Sequence, residues 1–171
     1  MKVSKIFFIL LLLFMSKTIL AQKNNPKFSI GVENQLMIAG PMNTSYDFLI
    51  GVKGKYYLHP IHKWTPYFSL GGYTDLGNID ATLFAVDFSA GVQFKPFQRF
   101  SFQLGIGSIY INENHAFQLL ERTDRWQNSF FAVTSDFNFA FHFSNHFSTY
   151  LILKQINLDA TSVGLGFNLS F

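Results

Sequence analysis

The sequence predicts an all-β fold: an eight-stranded antiparallel transmembrane β-barrel whose strands follow one another as an up-and-down meander. Apolar residues alternate with small or polar residues along most of the chain after residue 26, as expected of strands with two unlike faces. Charged residues make up only 13% of the 171 residues and aromatic residues 18%, whereas a soluble domain has about 25% charged residues. Because no second apolar run approaches the roughly 20 residues of a membrane helix, a chain of this composition can cross a bilayer only with strands.

The first 21 residues have the pattern of a cleaved signal peptide. Lys2 and Lys5 precede the apolar run 6–15, and Ala21 supplies a small residue for the cleavage site. An uncleaved anchoring helix is disfavoured because the apolar run is too short for a bilayer and is followed by Lys17 and the polar stretch 22–25. We therefore divide the chain into a signal peptide, residues 1–21, and an exported barrel, residues 22–171.

Charge and cysteine content exclude several classes of protein. The formal net charge of +3 is accounted for by Lys2, Lys5 and Lys17 of the signal peptide, so the exported part is formally neutral and its charge does not favour nucleic acid. The chain has no cysteine, which excludes disulfides, thiolate metal sites and a lipid-modified N-terminal cysteine. We predict no cofactor, no metal site and no nucleic-acid partner.

Eight segments carry the alternation, and each is long enough for a tilted strand to cross a bilayer core. The segments are residues 27–36, 45–58, 66–76, 81–95, 101–112, 129–143, 147–158 and 162–171. Their apolar faces include, in order, Ile30 and Val32, Val52 and Tyr56, Phe68 and Leu70, Phe84 and Phe88, Phe102 and Leu104, Phe137 and Phe139, Leu151 and Leu153, and Leu165 and Phe167. Their opposite faces include, in order, Gly31 and Glu33, Lys53 and Lys55, Ser69 and Tyr73, Ala85 and Asp87, Gln103 and Gly105, Asp136 and Asn138, Ser148 and Lys154, and Gly164 and Asn168. The third segment is the weakest, and the even count places both ends of the barrel on the same side.

The apolar face is predicted to point outward, into lipid. The opposite face is made largely of Gly, Ser and Ala with few charges, which is too sparsely charged for a surface in water but small enough for the interior of a narrow barrel. Aromatic residues near the strand ends are predicted to form interfacial girdles. These are Tyr46, Tyr56, Tyr57, Trp64, Tyr67, Tyr110, Trp126 and Phe171. A secreted, soluble lipocalin-like barrel stays open as the alternative.

Six charged residues fall on the inward face, three of each sign. They are Glu33, Asp87 and Asp136 with Lys53, Lys55 and Lys154. An isolated charge in so narrow an interior would suffer a large desolvation penalty, so we expect these groups to pair and to close the lumen. A small channel is the alternative that this prediction opposes.

Residues 113–128 form the longest predicted connection. With both ends of the barrel in the periplasm, this segment lies outside the cell. Loops on rigid scaffolds commonly carry function, so its apolar and cationic residues are candidates for contact with a surface partner that the sequence does not identify. The candidates are Phe117, Leu120, Arg122, Arg125 and Trp126.

Three segments resemble the small outer-membrane β-barrel proteins of Gram-negative bacteria, of the OmpA-transmembrane and OmpX type. They are TPYFSLGGY at 65–73, SFQLGIGSIYI at 101–111 and SVGLGFNLSF at 162–171. That family ends in an aromatic residue that the barrel-insertion machinery recognises, and Phe171, with Phe167 and Leu169 on its face, fits this signal. The resemblance implies localisation in the outer membrane, with outer-membrane lipid and the insertion machinery as partners.

One short motif suggests catalysis. His142, Ser144 and Asn145 resemble the His-x-Ser-Asn motif of outer-membrane lipid A deacylases, in which a histidine activates a serine hydroxyl. Here the motif falls in a predicted periplasmic turn without an acidic residue to orient the imidazole. His59 and His62 form another turn, also without a carboxylate nearby. We therefore predict a non-enzymatic barrel with a structural, surface-interaction or envelope-assembly role, with a lipid A-modifying hydrolase as an alternative.

Overall fold

The computed structural model describes residues 27–39, 48–58, 63–75, 81–119 and 122–171. The predicted signal peptide lies outside these residues. The strands are β1 Phe28–Ala39, β2 Phe48–Tyr57, β3 Trp64–Asp75, β4 Ala81–Phe97, β5 Phe100–Leu119, β6 Arg122–His142, β7 Phe147–Ile156 and β8 Ala160–Ser170. Within the described residues, no helix is long and apolar enough to cross a membrane.

The eight strands close into a barrel in sequence order. Each strand pairs with the next in antiparallel register, and β1 pairs with β8 from Ser29↔Ser170 to Ala39↔Thr161. Closure leaves no sheet edge around the body of the barrel, because every strand has a neighbour on both sides. The predicted fold class, an eight-stranded antiparallel β-barrel with meander order, is confirmed.

The two ends of the barrel are distinguished by their connections. We call the end with segments 58–63, 98–99 and 143–146 the turn end, and the end with segments 40–47, 76–80, 120–121 and 157–159 the loop end. At the loop end, β7 stops at Ile156 rather than at the predicted Leu158. Asn157 and Leu158 have positive φ angles of 50° and 63°, which is the backbone of a tight hairpin turn rather than of a strand.

The prediction that residues 113–128 form a loop is wrong. β5 and β6 stay paired through this segment, from Glu113↔Asn128 to Leu119↔Arg122, and the connection shrinks to residues 120–121. The prediction ended both strands where the apolar alternation ends, but hairpin pairing is maintained by main-chain hydrogen bonds and does not require an apolar face. β4 pairs with β5 only up to His115, and β7 pairs with β6 only up to Thr134, so the β5–β6 hairpin continues beyond its neighbours.

The two faces of the wall are distributed as the alternation predicts. Large apolar side chains are exposed on the outside of every strand, among them Val32, Val52, Leu70, Phe88, Leu104, Phe137, Leu151 and Phe167. The prediction that Tyr57 and Tyr67 belong to an outer aromatic girdle is wrong, because both side chains are buried inside the barrel. Nearness to a strand end does not decide which face of the wall a residue occupies. Tyr57 directly follows the outward Tyr56 and must therefore face the other way.

Candidate functional site

The lumen of the barrel is the candidate site, because the charged residues of the sequence meet there. The inward side chains of the turn-end half and the middle are mostly polar and buried, among them Ser29, Glu33, Lys53, Lys55, Ser69, Asp87, Ser101, Gln103, Asp136, Asn138 and Lys154. Buried polar groups at this density require partners, since each unpaired one would cost free energy. The pattern of those partners defines what the interior can do.

Asp87 is the centre of an ionic cluster that joins four strands. Its Oδ2 atom accepts hydrogen bonds from Lys53 Nζ and from Lys154 Nζ, both at 2.9 Å. Lys53 Nζ also donates to Asp136 Oδ2 at 3.3 Å. The four residues stand on β2, β4, β6 and β7, so these contacts cross the lumen rather than run along the wall. All four side chains are almost completely buried.

Glu33 is held by hydroxyl groups rather than by a direct ion pair. Tyr73 and Tyr150 donate their phenolic O–H groups to its two carboxylate oxygens, at 2.6 Å and 2.7 Å. Gln35 donates to it as well, at 3.3 Å. Hydrogen bonds to an ionised acceptor are stronger than neutral ones, so these groups compensate a carboxylate that has been removed from water.

Lys55 is held by an amide and by aromatic rings. Its Nζ donates to Gln103 Oε1 at 2.8 Å and lies 4.5 Å from the centre of the Tyr150 ring and 5.9 Å from that of Tyr67. A desolvated cation over an aromatic face gains substantially from the ring quadrupole. Tyr150 thus contacts a carboxylate through its hydroxyl and a cation through its ring, which connects Glu33 with Lys55.

Glycines on the inner wall make room for these tyrosine rings. A Cβ atom on Gly166 would lie 2.3 Å from the Tyr150 ring, and one on Gly51 would lie 2.2 Å from the Tyr73 ring. Each ring therefore packs closely against a glycine of the neighbouring strand, where any side chain would collide with it. These inward glycines fit the role of packing positions rather than of phosphate loops.

The loop-end part of the lumen is apolar, which the sequence analysis missed. Ten buried residues pack there in one cluster: Met37, Leu49, Tyr73, Leu83, Ala85, Ile109, Ile111, Ala132, Ile156 and Ala160. On each strand that carries a charge of the network, the residue of this cluster lies nearer the loop end, as Leu49 does relative to Lys53 and Ile156 relative to Lys154. We call this group the apolar layer, and Glu33, Lys53, Lys55, Asp87, Asp136 and Lys154 the charged layer.

The His142 motif does not form a serine–histidine pair at Ser144. His142 Nε2 lies 2.9 Å from Ser101 Oγ on the neighbouring strand. Ser144 Oγ instead accepts the main-chain N–H groups of His146 and Phe147, at 3.2 Å and 3.1 Å, which is the hydrogen-bonding pattern of a serine that stabilises a turn. The geometry expected of an activated nucleophile is therefore absent at Ser144.

The remaining sequence candidates lie at the two ends of the barrel. Of the hairpin candidates, Phe117, Arg122, Arg125 and Trp126 belong to the paired strands, opposite Asp124, Leu119, Ala116 and His115 respectively, whereas Leu120 lies outside the described residues. His59 and His62 also lie outside them. Phe171 stacks on Phe28 with ring centres 6.4 Å apart, and Phe167 is exposed on the outer wall. Among the described residues, no three His, Asp or Glu side chains come together as a metal site would require.

Comparison with solved structures identifies the same fold in small outer-membrane barrels. The chain is similar to the attachment invasion locus protein Ail of Yersinia pestis, with a TM-score of 0.60 and 13% identity over 84% of this chain and 94% of that one. It is also similar to the N-terminal barrel domain of OprF of Pseudomonas aeruginosa, with a TM-score of 0.63 and 14% identity over 84% of this chain and 96% of that one. At such identities the likeness shows the fold alone.

A designed protein marks the limit of this comparison. A de novo transmembrane β-barrel matches with a TM-score of 0.58 and 12% identity, over 88% of this chain and 98% of that one. A backbone that can be designed without a natural task does not specify a function. No protein-family model matches the chain, and no curated protein matches its sequence. Function must therefore be argued from this chain's own side chains.

Proposed function

We propose that the protein is a non-enzymatic barrel of the bacterial outer membrane, with a closed lumen and a structural or surface-interaction role. Its task would be to hold the β5–β6 hairpin rigidly at the cell surface. The observation that carries the proposal is the inverted distribution of polarity, with apolar side chains exposed outside and charged side chains buried inside. Such a wall suits lipid and not water.

The closed lumen supports the choice of an anchor over a channel. The charged layer connects strands across the interior, and the apolar layer fills the part of the interior nearer the loop end. An eight-stranded barrel has space inside for little beyond its own side chains. Planar-bilayer recordings on the unmodified protein should therefore show no steady conductance. A large, stable single-channel current would make the small channel the better proposal.

Export and orientation complete the proposal. Residues 1–21 act as the cleaved signal peptide, and Phe171, with Phe167 and Leu169, acts as the signal for the barrel-insertion machinery. The turn end faces the periplasm and the loop end faces outward. This orientation suits the hairpin, because a long protruding element is typical of the outer side of bacterial barrels.

Localisation tests the proposal most directly. After cell fractionation, the protein should be found in the outer membrane and should migrate differently on a gel before and after boiling, as folded barrels do. A protease site inserted at 120–121 should be cut on intact cells, while the same site inserted at 98–99 should be cut only after the outer membrane is opened. The reverse pattern would invert the orientation, and a soluble, secreted product would reject the membrane placement.

The hydrolase alternative is tested by chemistry. Ser144 is engaged in a turn and His142 contacts Ser101, so purified protein mixed with lipid A should leave its acyl chains intact when the products are analysed by mass spectrometry. Release of an acyl chain by the unmodified protein, abolished by Ser144→Ala, would overturn the non-enzymatic proposal.

A further inference from the structure

The charged Lys and Arg side chains at the turn end of the barrel meet no Asp or Glu of the neighbouring segments. Lys27, Lys63, Lys95 and Arg99 lie at this end, and none of the segments 57–66, 94–101 and 141–148 contains Asp or Glu. Among the described residues, the acidic side chains other than those of the charged layer are found toward the loop end, where Asp75 ends β3, Glu113 stands near the loop end of β5 and Asp159 follows β7. The two ends of the molecule therefore have opposite character.

Main-chain hydrogen bonds place the four cations along one arc of the rim. The Lys27 carbonyl accepts from Tyr57 N–H at 2.7 Å, at the end of β2, and the Lys63 carbonyl accepts from Lys95 N–H at 2.8 Å, which sets β3 and β4 side by side. Arg99 occupies the tight turn between β4 and β5. The arc thus runs from β1 to β5, around about half of the barrel, and we call these four residues the basic rim.

The basic rim differs from the charged layer because its cations are not paired with the described acidic side chains. Lys27, Lys63 and Arg99 are exposed, and Lys95 is half-buried at the mouth of the lumen. Lys53 and Lys154 form ion pairs with aspartates in the lumen, whereas no described side chain forms an ion pair with a cation of the rim. The rim cations are therefore free to meet a partner outside the chain.

A belt of exposed aromatic side chains lies at the same height. Trp64 is 61% exposed and Phe97 is 70% exposed, and Trp64 stacks on Phe94 with ring centres 4.3 Å apart. Tyr56 and Phe100 extend the belt along the outer wall. Amphipathic aromatic residues at the end of an apolar wall mark the level of lipid headgroups, so the cations beside them lie where phosphate groups of lipids are found.

We propose that the basic rim selects anionic phospholipids, whose headgroups carry a net negative phosphodiester, from the leaflet at the turn end. The proposal rests on the membrane placement proposed above. Lys63, exposed next to Trp64, forms the centre of the site with the exposed Lys27 and Arg99, and Lys95 adds its charge from the mouth of the lumen. Each cation at the membrane surface attracts an anionic lipid without replacing any contact within the protein. The selection holds the barrel at a fixed depth and orientation.

Trp64 offers a local reporter for this selection. The chain has two tryptophans, so Trp126→Phe leaves Trp64 as the only one. This variant is reconstituted into two series of phosphatidylcholine bilayers. One series contains brominated phosphatidylglycerol and the other contains brominated phosphatidylcholine with acyl chains of the same length, and bromine quenches the fluorescence of a nearby tryptophan. The ratio of the two quenching curves gives the relative affinity at Trp64. Phosphatidylglycerol should be preferred by about threefold or more at low salt, and the preference should fall near 1 M salt, where the Debye length is about 3 Å.

Paired variants separate the rim from net charge. In the same background, Lys63→Gln with Arg99→Gln should lower the preference nearly to one, whereas Arg122→Gln with Arg125→Gln, which removes the same charge at the opposite end, should preserve it. Gel mobility before and after boiling verifies that each variant is folded. Equal quenching by both lipids, or an equal loss of the preference in both double variants, would overturn lipid selection. The membrane placement would survive this outcome, because quenching shows that Trp64 lies in the bilayer. Absence of quenching by either lipid would overturn it together with the membrane placement.

Discussion

The charged layer and the apolar layer occupy the same lumen, but different forces hold them. In the charged layer, each group depends on particular atoms of residues across the barrel, as Asp87 Oδ2 does on Lys53 and Lys154. In the apolar layer, residues such as Leu83 and Ile111 contribute by excluding water, which depends on area and volume more than on direction. One layer is sensitive to chemistry and the other to shape.

This difference suggests a division of tasks within the barrel. Contacts such as Lys53 with Asp136 connect strands that are far apart in sequence, and a strand that slipped by one residue would turn its charge to the apolar outer face of the wall. The charged layer therefore specifies register and closure. The apolar layer would tolerate many residues of similar volume, and it fills the loop-end part of the lumen. The following substitutions test this division, from the largest expected effect to the smallest.

Asp87→Ala should cause the largest loss of stability. It leaves both Lys53 and Lys154 without their shared acceptor in the interior, and breaking a buried charge cluster costs about 3 to 5 kcal/mol in the free energy of unfolding. Urea unfolding in lipid vesicles measures this loss. Adding Lys154→Met should recover part of it, because one uncompensated cation is removed. The control Asp159→Ala, in an exposed turn, should change stability by less than about 0.5 kcal/mol. A loss below about 1 kcal/mol for Asp87→Ala would mean that the charged layer is hydrated.

Leu83→Ala should cause the next largest loss, by a different mechanism. It creates a cavity in the apolar layer and should lower the free energy of unfolding by about 3 kcal/mol. Leu83→Met, which preserves most of the volume, should cost less than about 1.5 kcal/mol, whereas no substitute of similar size rescues Asp87. Leu158→Ala, in an exposed turn, serves as the control. If Leu83→Met were as damaging as Leu83→Ala, the apolar layer would be as specific as the charged one.

The period of two was sufficient to predict eight strands in meander order and the inward side of all six charges of the charged layer. Glu33, Lys53 and Asp136 each stand an even number of residues from other small or polar inward positions, so their direction follows from strand geometry alone. Their partners could not be predicted. Lys55 meets Gln103 rather than a carboxylate, because the stagger of a closed barrel decides which inward residues share a height, and no local pattern records that stagger.

The apolar layer was missed because inward was equated with polar. Ile109 and Ile111 continue the inward parity of Gln103, Gly105 and Gly107 on β5, but their apolar character resembles that of the outward face. Strand parity continues along β5 regardless of polarity and places both isoleucines inside the lumen. The same rule would have placed Tyr57 inside the lumen. The hairpin beyond residue 113 has no comparable signal, because apolar and polar residues do not alternate regularly in that segment.

Tyr150→Phe should have a smaller effect that isolates one directional contact. It removes the hydroxyl that donates to Glu33 at 2.7 Å but preserves the ring beneath Lys55, so the loss should be about 1 to 2 kcal/mol. Tyr67→Phe is the matched control, because the Tyr67 hydroxyl has no hydrogen-bond partner among the described residues and its removal should change little. Equal losses for the two variants, by urea unfolding, would show that ring packing and not hydrogen bonding makes these tyrosines important.

Ile111→Val should have the smallest effect, and it gives the finest comparison of the two layers. It removes one methylene from the apolar layer, which costs about 1 kcal/mol. Asp87→Glu adds one methylene in the charged layer and preserves the charge, but it displaces a carboxylate whose Oδ2 atom receives two lysines at 2.9 Å. Overpacking alone costs about 1 to 3 kcal/mol, and the displaced hydrogen bonds add to this. Unfolding measured side by side should thus rank Asp87→Glu as clearly worse than Ile111→Val. The opposite ranking would mean that volume rather than atomic position governs both layers, and the charged layer could then no longer be what specifies strand register.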